Sequence, residues 1–189
     1  RLDEMPPALK HAFLAGEDKR FYQHHGIDFS RILGALKANI FSLSWGQGFS
    51  TITMQLARNV FPDRITREKK LGRKLKEVRV ALELERTYSK DRILELYLNQ
   101  IPLGNGAFGV ETAALRYFGK SSRDLNVAEA ALLAALPKAP GRYNPRRYPA
   151  RAVRRRHKKA LRGLALTIFA SCPQKSGLFA TGIAVSLLA

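Results

Sequence analysis

The chain has 189 residues, enough for one domain that buries roughly 70% of its unfolded surface without metal or disulfide staples. A single cysteine, Cys172, excludes a disulfide framework and a cysteine-ligated zinc site within one chain, and 46% hydrophobic against 25% charged residues excludes a disordered polymer. With 33 Lys and Arg against 15 Asp and Glu the net charge is +18, which points to a polyanionic partner: nucleic acid, an anionic membrane surface or a phosphorylated substrate.

The chain opens at Arg1 and reads as an excised piece of a longer protein; no apolar run reaches the length of a membrane span. Pro7 suits a first helical position, and the pattern carries that helix to His25, with Gly26 as the residue beyond its end. A second helix is predicted over residues 29–43. Residues 45–49, Trp-Gly-Gln-Gly-Phe, form a loop, and Ser50 or Thr51 caps the helix that follows. Leu71, Leu75, Val78 and Leu82 recur at i, i+4, i+7 and i+11, which predicts an amphipathic helix with these residues on its buried face. Ser89 caps another helix that buries Ile93, Leu94, Tyr97 and Leu98. Gly104, Asn105, Gly106 and Gly109 mark a loop, residues 110–118 are helical and stop at Gly119, and residues 127–136 form an Ala/Leu-rich core helix that Pro137 ends. Phe21, Tyr22, Tyr97 and Phe118 fall at helical spacing and read as core. With no strand alternation and no internal repeat, the class is mainly α.

The charge is unevenly spread. Residues 138–162 hold eleven basic side chains and no acid, and Arg154, Arg155, Arg156, His157, Lys158 and Lys159 form either a solvated face or one turned toward phosphates.

Two carboxylates stand out. Phe13, Glu17 and Phe21 lie at i−4, i and i+4, so on a continuous helix Glu17 sits between two rings, which strips its hydration and favours proton transfer near neutral pH. The competing reading is a surface pair of Glu17 with Arg20 or Lys10. Glu77 follows Arg73 by four residues, opposite the Leu71 stripe, and Val80 and Leu84 continue its face, which carries Glu77 into the core. Around it Lys69, Lys70, Arg73, Lys74 and Lys76 supply cations able to neutralise a pyrophosphate; the competing reading is an ordinary Arg73–Glu77 helix ion pair. Gly46, Gly48, Ser50, Thr51 and Thr53 join a glycine-led loop to a helix start, either an anion site or simply a capped helix after a loop, and Gln55, Arg58 and Asn59 form a polar strip on the next turns. The four histidines show no metal-ligand spacing.

These segments closely resemble the peptidoglycan glycosyltransferase family, the transglycosylase domain of bifunctional penicillin-binding proteins and their monofunctional relatives. Its first motif stands here as Glu17, Asp18, Phe21, His24 and Gly26; its second as Gly48, Ser50, Thr51, Ile52, Thr53 and Gln55, with Met54 where many members carry Gln. The third is Arg73, Lys74 and Glu77, and the fourth is Lys90, Ile93, Leu94, Glu95, Tyr97, Leu98 and Asn99. The match covers residues 1–162; residues 163–189 are an atypical tail.

The resemblance implies a lysozyme-like helical domain with a smaller membrane-proximal lobe, to which residues 40–45 are assigned. It implies inverting polymerisation of lipid II into β-1,4 glycan strands with release of undecaprenyl pyrophosphate. Glu17 is then the general base, Glu77 the second catalytic carboxylate, and Arg58, Arg73 and Lys74 the cations that meet departing negative charge, assisted by the Ser50/Thr51 helix start. Asp18, Phe21, His24, Gln55 and Asn59 complete the substrate-binding set. Glu77 either orients those three cations or coordinates a divalent cation, Mg or Mn, and the resemblance requires no cofactor. The implied partners are lipid II, the growing glycan strand, an anionic membrane surface and a fused or separate transpeptidase, without nucleic acid, at the outer face of the bacterial cytoplasmic membrane. The rival readings are a lysozyme-like lytic enzyme, which needs no pyrophosphate cradle, and a basic nucleic-acid-binding module.

Overall fold

The computed structural model describes residues 1–34, 50–62, 70–145 and 147–155. Six helices carry the described architecture: α1 (Pro7–Glu17), α2 (Ile52–Val60), α3 (Lys70–Thr87), α4 (Lys90–Gln100), α5 (Val110–Phe118) and α6 (Val127–Ala135). Residues 29–34 and 149–155 are also helical. The mainly α class holds. The extension of the second predicted helix to 43, the 45–49 loop with Gly46 and Gly48, the 40–45 lobe segment, Lys69, residues 156–159 and the 163–189 tail lie outside the described residues.

Local chemistry sets most boundaries. Pro7 begins α1 and leaves no orphaned N–H there. Thr51 and Ser89 cap α2 and α4 by accepting the Met54 and Arg92 N–H groups. Gly119, left-handed at φ 70°, ends α5. Asn126 and Glu129 form a reciprocal capping box at the start of α6. Leu9 and Phe13 of α1, Ile52 and Leu56 of α2, and Ile93, Leu94, Tyr97 and Leu98 of α4 meet in one core, with α6 against α1. The Phe13 and Tyr97 rings cross edge to face at 6.3 Å.

Between α4 and α5 the expected loop contains a small antiparallel hairpin, β1 (Pro102–Gly104) with β2 (Ala107–Phe108). Strands of three and two residues are too short to show alternation in sequence. Gly109 follows at φ 78°, donates to the Ile101 carbonyl at 2.9 Å, and packs so closely that a Cβ would lie 2.4 Å from the Asn99 carbonyl oxygen. Gly109→Ala therefore meets both a left-handed backbone and a backbone clash. It is expected to cost about 2 kcal/mol or more, roughly 4–8 °C in Tm, as read by thermal melting.

Three expectations are corrected. Helix α1 stops at Glu17, not His25, because Asp18 leaves helical geometry at φ −154°, ψ 83°. The i, i+4 relation of Glu17 to Phe21 is thereby lost; Phe21 packs edge to face on Tyr22 and His24, under the Lys90 ammonium. On α3 Leu75 and Leu82 of the predicted stripe are exposed, Leu75 by 71%, while Glu77 and Ala81 are buried; the Leu71 side chain lies outside the described residues. Tyr22 is exposed, its hydroxyl donating to Asp91.

Candidate active site

The end of α1 and the start of α2 are built around Asp18. Its carboxylate, 1% exposed, accepts from His24 Nε2 at 2.9 Å and from the Ile52 N–H at 3.0 Å. A carboxylate only accepts, so Nε2 carries the hydrogen, and the negative charge lies at the positive end of α2. Thr51 adds a second tie by donating to the Gly26 carbonyl at 2.6 Å. Gly26 is left-handed at φ 81°, and a Cβ there would approach the Ala81 carbonyl oxygen of α3 to 3.2 Å. Asp18, Phe21, His24 and Thr51, all buried, thus form the frame that fixes α1, α2 and α3 together.

Glu17, half-buried, is presented at the edge of this frame. Gln55 of α2 donates through Nε2 to Glu17 Oε2 at 3.3 Å, and the Tyr97 hydroxyl of α4 donates to Gln55 Oε1 at 3.2 Å. Arg31, from the 29–34 helix, donates to the Glu17 main-chain carbonyl at 2.6 Å. Glu17 lines a cavity of about 370 Å³ with Lys19, Arg20, Asp28 and Arg31. Asp28 rather than Glu17 is the partner of Arg20, which grips it with two donors, and it also accepts the Arg31 N–H at 3.0 Å. Burial pushes the Asp28 carboxyl up, but the Arg31 N–H and the Arg20 guanidinium outweigh it and hold the group below the usual carboxylate range. Lys10 donates to the Leu2 carbonyl. Sequence reasoning missed Asp28 and Arg31, although an aspartate just before a helical run is an N-cap signal.

The second carboxylate, on α3, meets α2 through Arg58. Glu77 is 1% exposed; Lys74 Nζ reaches its Oε2 at 2.7 Å, and Arg58 and Arg73 approach Oε1 at 3.6 and 3.8 Å. Lys74 also donates to Ser50 Oγ at 2.7 Å. Asn59 Nδ2 and Arg73 Nε are buried without a hydrogen-bond partner among the described residues. This donor set does not fit a divalent cation at Glu77, because its neighbours are an ammonium and two guanidiniums that repel one. The carboxylate instead gathers three cations whose combined charge exceeds its own.

Gln55 and Arg58 stand three residues apart on α2, about 4.5 Å along its axis. One helix therefore touches Glu17 with one turn and Glu77 with the next. A further ionic cluster braces this arrangement: Glu85 of α3 accepts from Thr53 at 2.6 Å and from Lys90 at 2.8 Å. At the far end of the chain, Arg151 and Arg155 lie over the rings of Tyr148 and Tyr143 at 4.8 and 5.4 Å.

Residues 1–164 match the family model described as Transglycosylase. The chain is 52% identical over 156 residues to penicillin-binding protein 1A of Aquifex aeolicus, covering 82% of this chain and 21% of that protein. It is 47% identical over 155 residues to penicillin-binding protein 1F of Bacillus subtilis, covering 82% and 21%. Against penicillin-binding protein 1A of Escherichia coli it is 50% identical over 156 residues, covering 82% and 18%. The chain spans about a fifth of the length of these curated relatives.

Proposed function

The chain belongs to the transglycosylase family, the peptidoglycan glycosyltransferases of penicillin-binding proteins, and from that premise we propose that it polymerises lipid II with inversion. In this reaction the acceptor 4-hydroxyl oxygen forms a bond to C1 of the donor sugar. Its proton passes to the Glu17 carboxylate, and the C1–O bond to pyrophosphate breaks with the electron pair leaving on the phosphate. The product is β-1,4-linked glycan, and undecaprenyl pyrophosphate is released.

The observation that carries this reading is the placement of two unlike carboxylates along α2. Glu17, half-buried beside a neutral amide and open to a cavity, is suited to accept a proton. Glu77, buried among Arg58, Arg73 and Lys74, is suited to hold cations where departing negative charge accumulates. Positioned cations of this kind act on a developing anion without reorganising. Asp18, His24 and Thr51 hold the site together from within.

A lytic enzyme also uses a carboxylate at a helix end but has no use for three cations on the neighbouring turn. The nucleic-acid reading leaves both carboxylates without a role. Product analysis separates the first two: incubation with lipid II is expected to give longer glycan and one polyprenyl pyrophosphate per bond, whereas shortening of preformed glycan overturns the assignment.

The site of action we propose is the outer face of the cytoplasmic membrane, with an anionic lipid surface and a fused or separate transpeptidase as partners. The Arg–Tyr stacks at residues 143–155, in a stretch without acids, support an anionic surface. No helix among the described residues is long and apolar enough to cross a membrane.

A further inference from the structure

Tyr97 heads the fully buried side chains of the described residues by volume, and the reaction outlined above leaves it without a task. Its ring is core, packed edge to face on Phe13, but a buried phenol needs a partner for its O–H. That partner is Gln55 Oε1, at 3.2 Å.

An amide side chain has one accepting and one donating end of almost identical shape. Which end faces Glu17 is therefore decided by what the other end meets. Gln55 is 8% exposed, so water does not freely supply an alternative. With its oxygen engaged by Tyr97, its nitrogen must face the Glu17 carboxylate, the 3.3 Å contact observed. Turned over, the amide would set its oxygen against the carboxylate and lose that bond, and the phenol oxygen could accept from the NH₂ only by leaving its own O–H without the acceptor it has now. Burial, together with the charge of Glu17, holds the Tyr97 phenol well above its ordinary range despite the opposing Arg58, so it stays a donor.

We propose that Tyr97 is a positioning residue for the proposed base: its hydroxyl fixes the Gln55 amide, and the amide fixes Glu17. This rests on the reading of Glu17 given above. It ties the reacting group to α4, a core helix 80 residues away in sequence.

The test is a double-mutant cycle on the complete chain with lipid II polymerisation as readout. Tyr97→Phe removes one oxygen; kcat is expected to fall about tenfold with KM changed less than twofold, one hydrogen bond's worth of alignment. Gln55→Ala is expected to fall at least as far, and adding Tyr97→Phe to it to cause no further loss. Losses that multiply in the double variant overturn the relay, because a merely structural tyrosine acts independently of Gln55. A second readout needs no turnover. The Gln55 side-chain amide protons are expected to exchange slowly by NMR in the unaltered protein and at least tenfold faster in Tyr97→Phe. Fast exchange in the unaltered protein, or no change in the variant, overturns the proposal whatever the activity. Retained activity in Glu17→Gln removes the base instead, so the two failures are distinguishable.

Discussion

Glu17→Gln is expected to leave the fold intact and to lower glycan polymerisation by about 10³-fold or more. The substitution keeps the side chain's volume and an oxygen for Gln55 Nε2 to meet, and the Arg31 contact is to the main-chain carbonyl, which is untouched. What disappears is the capacity to take a proton from an attacking hydroxyl. The carboxylate is half-buried and the substitution keeps its size and its contact with Gln55, so Tm should move by no more than about 2 °C. The discriminating measurement is chain length of product from lipid II, run beside a melt of the same preparation. Polymerisation above a tenth of the original rate, with an unchanged melt, removes Glu17 from the reaction. An inactive protein that also melts early identifies the carboxylate as structural.

Where local chemistry decides an element, the sequence was legible. Thr51, Ser89, Gly119 and Pro137 mark boundaries because a cap, a left-handed residue or a missing N–H acts within a few positions. The end of α1 was not legible, since the group that draws Asp18 out of the helix is the Ile52 N–H, 34 residues on. The face of α3 was misread for a related reason. Counting apolar spacing assumes that the inward face is the greasy one, but this inward face is ionic: Arg58 arrives from α2 to meet Glu77, and Leu75 is left in solvent. Arg73, Lys74 and Glu77 nonetheless meet in one ionic cluster, because i, i+3 and i+4 spacing brings them together whichever face points inward. Asp28, Arg31 and the role of Tyr97 depend on contacts made only in the fold.

Lys74→Ala is expected to be the most damaging single change around Glu77, and its rescue pattern tells charge balance from catalysis. Glu77 is 1% exposed and cannot regain water, whereas the Arg58 and Arg73 side chains are each 37% exposed. Removing Lys74 takes away the 2.7 Å contact and leaves guanidiniums at 3.6 and 3.8 Å, beyond hydrogen-bond reach. With two guanidiniums still beside it the charge stays balanced, but the buried carboxylate loses its close charged hydrogen bond, which costs about 2 kcal/mol, or roughly 4–8 °C in Tm. Adding Glu77→Gln to Lys74→Ala neutralises the group left without that bond, so the double variant is expected to melt higher than Lys74→Ala alone. Activity should behave differently. A cation that meets the departing pyrophosphate is absent from both variants, so polymerisation is expected to stay at least about 100-fold down while stability recovers. Recovery of both together would make Lys74 a counter-ion for Glu77 and nothing more; recovery of neither would mean that the buried charge was never the source of the instability.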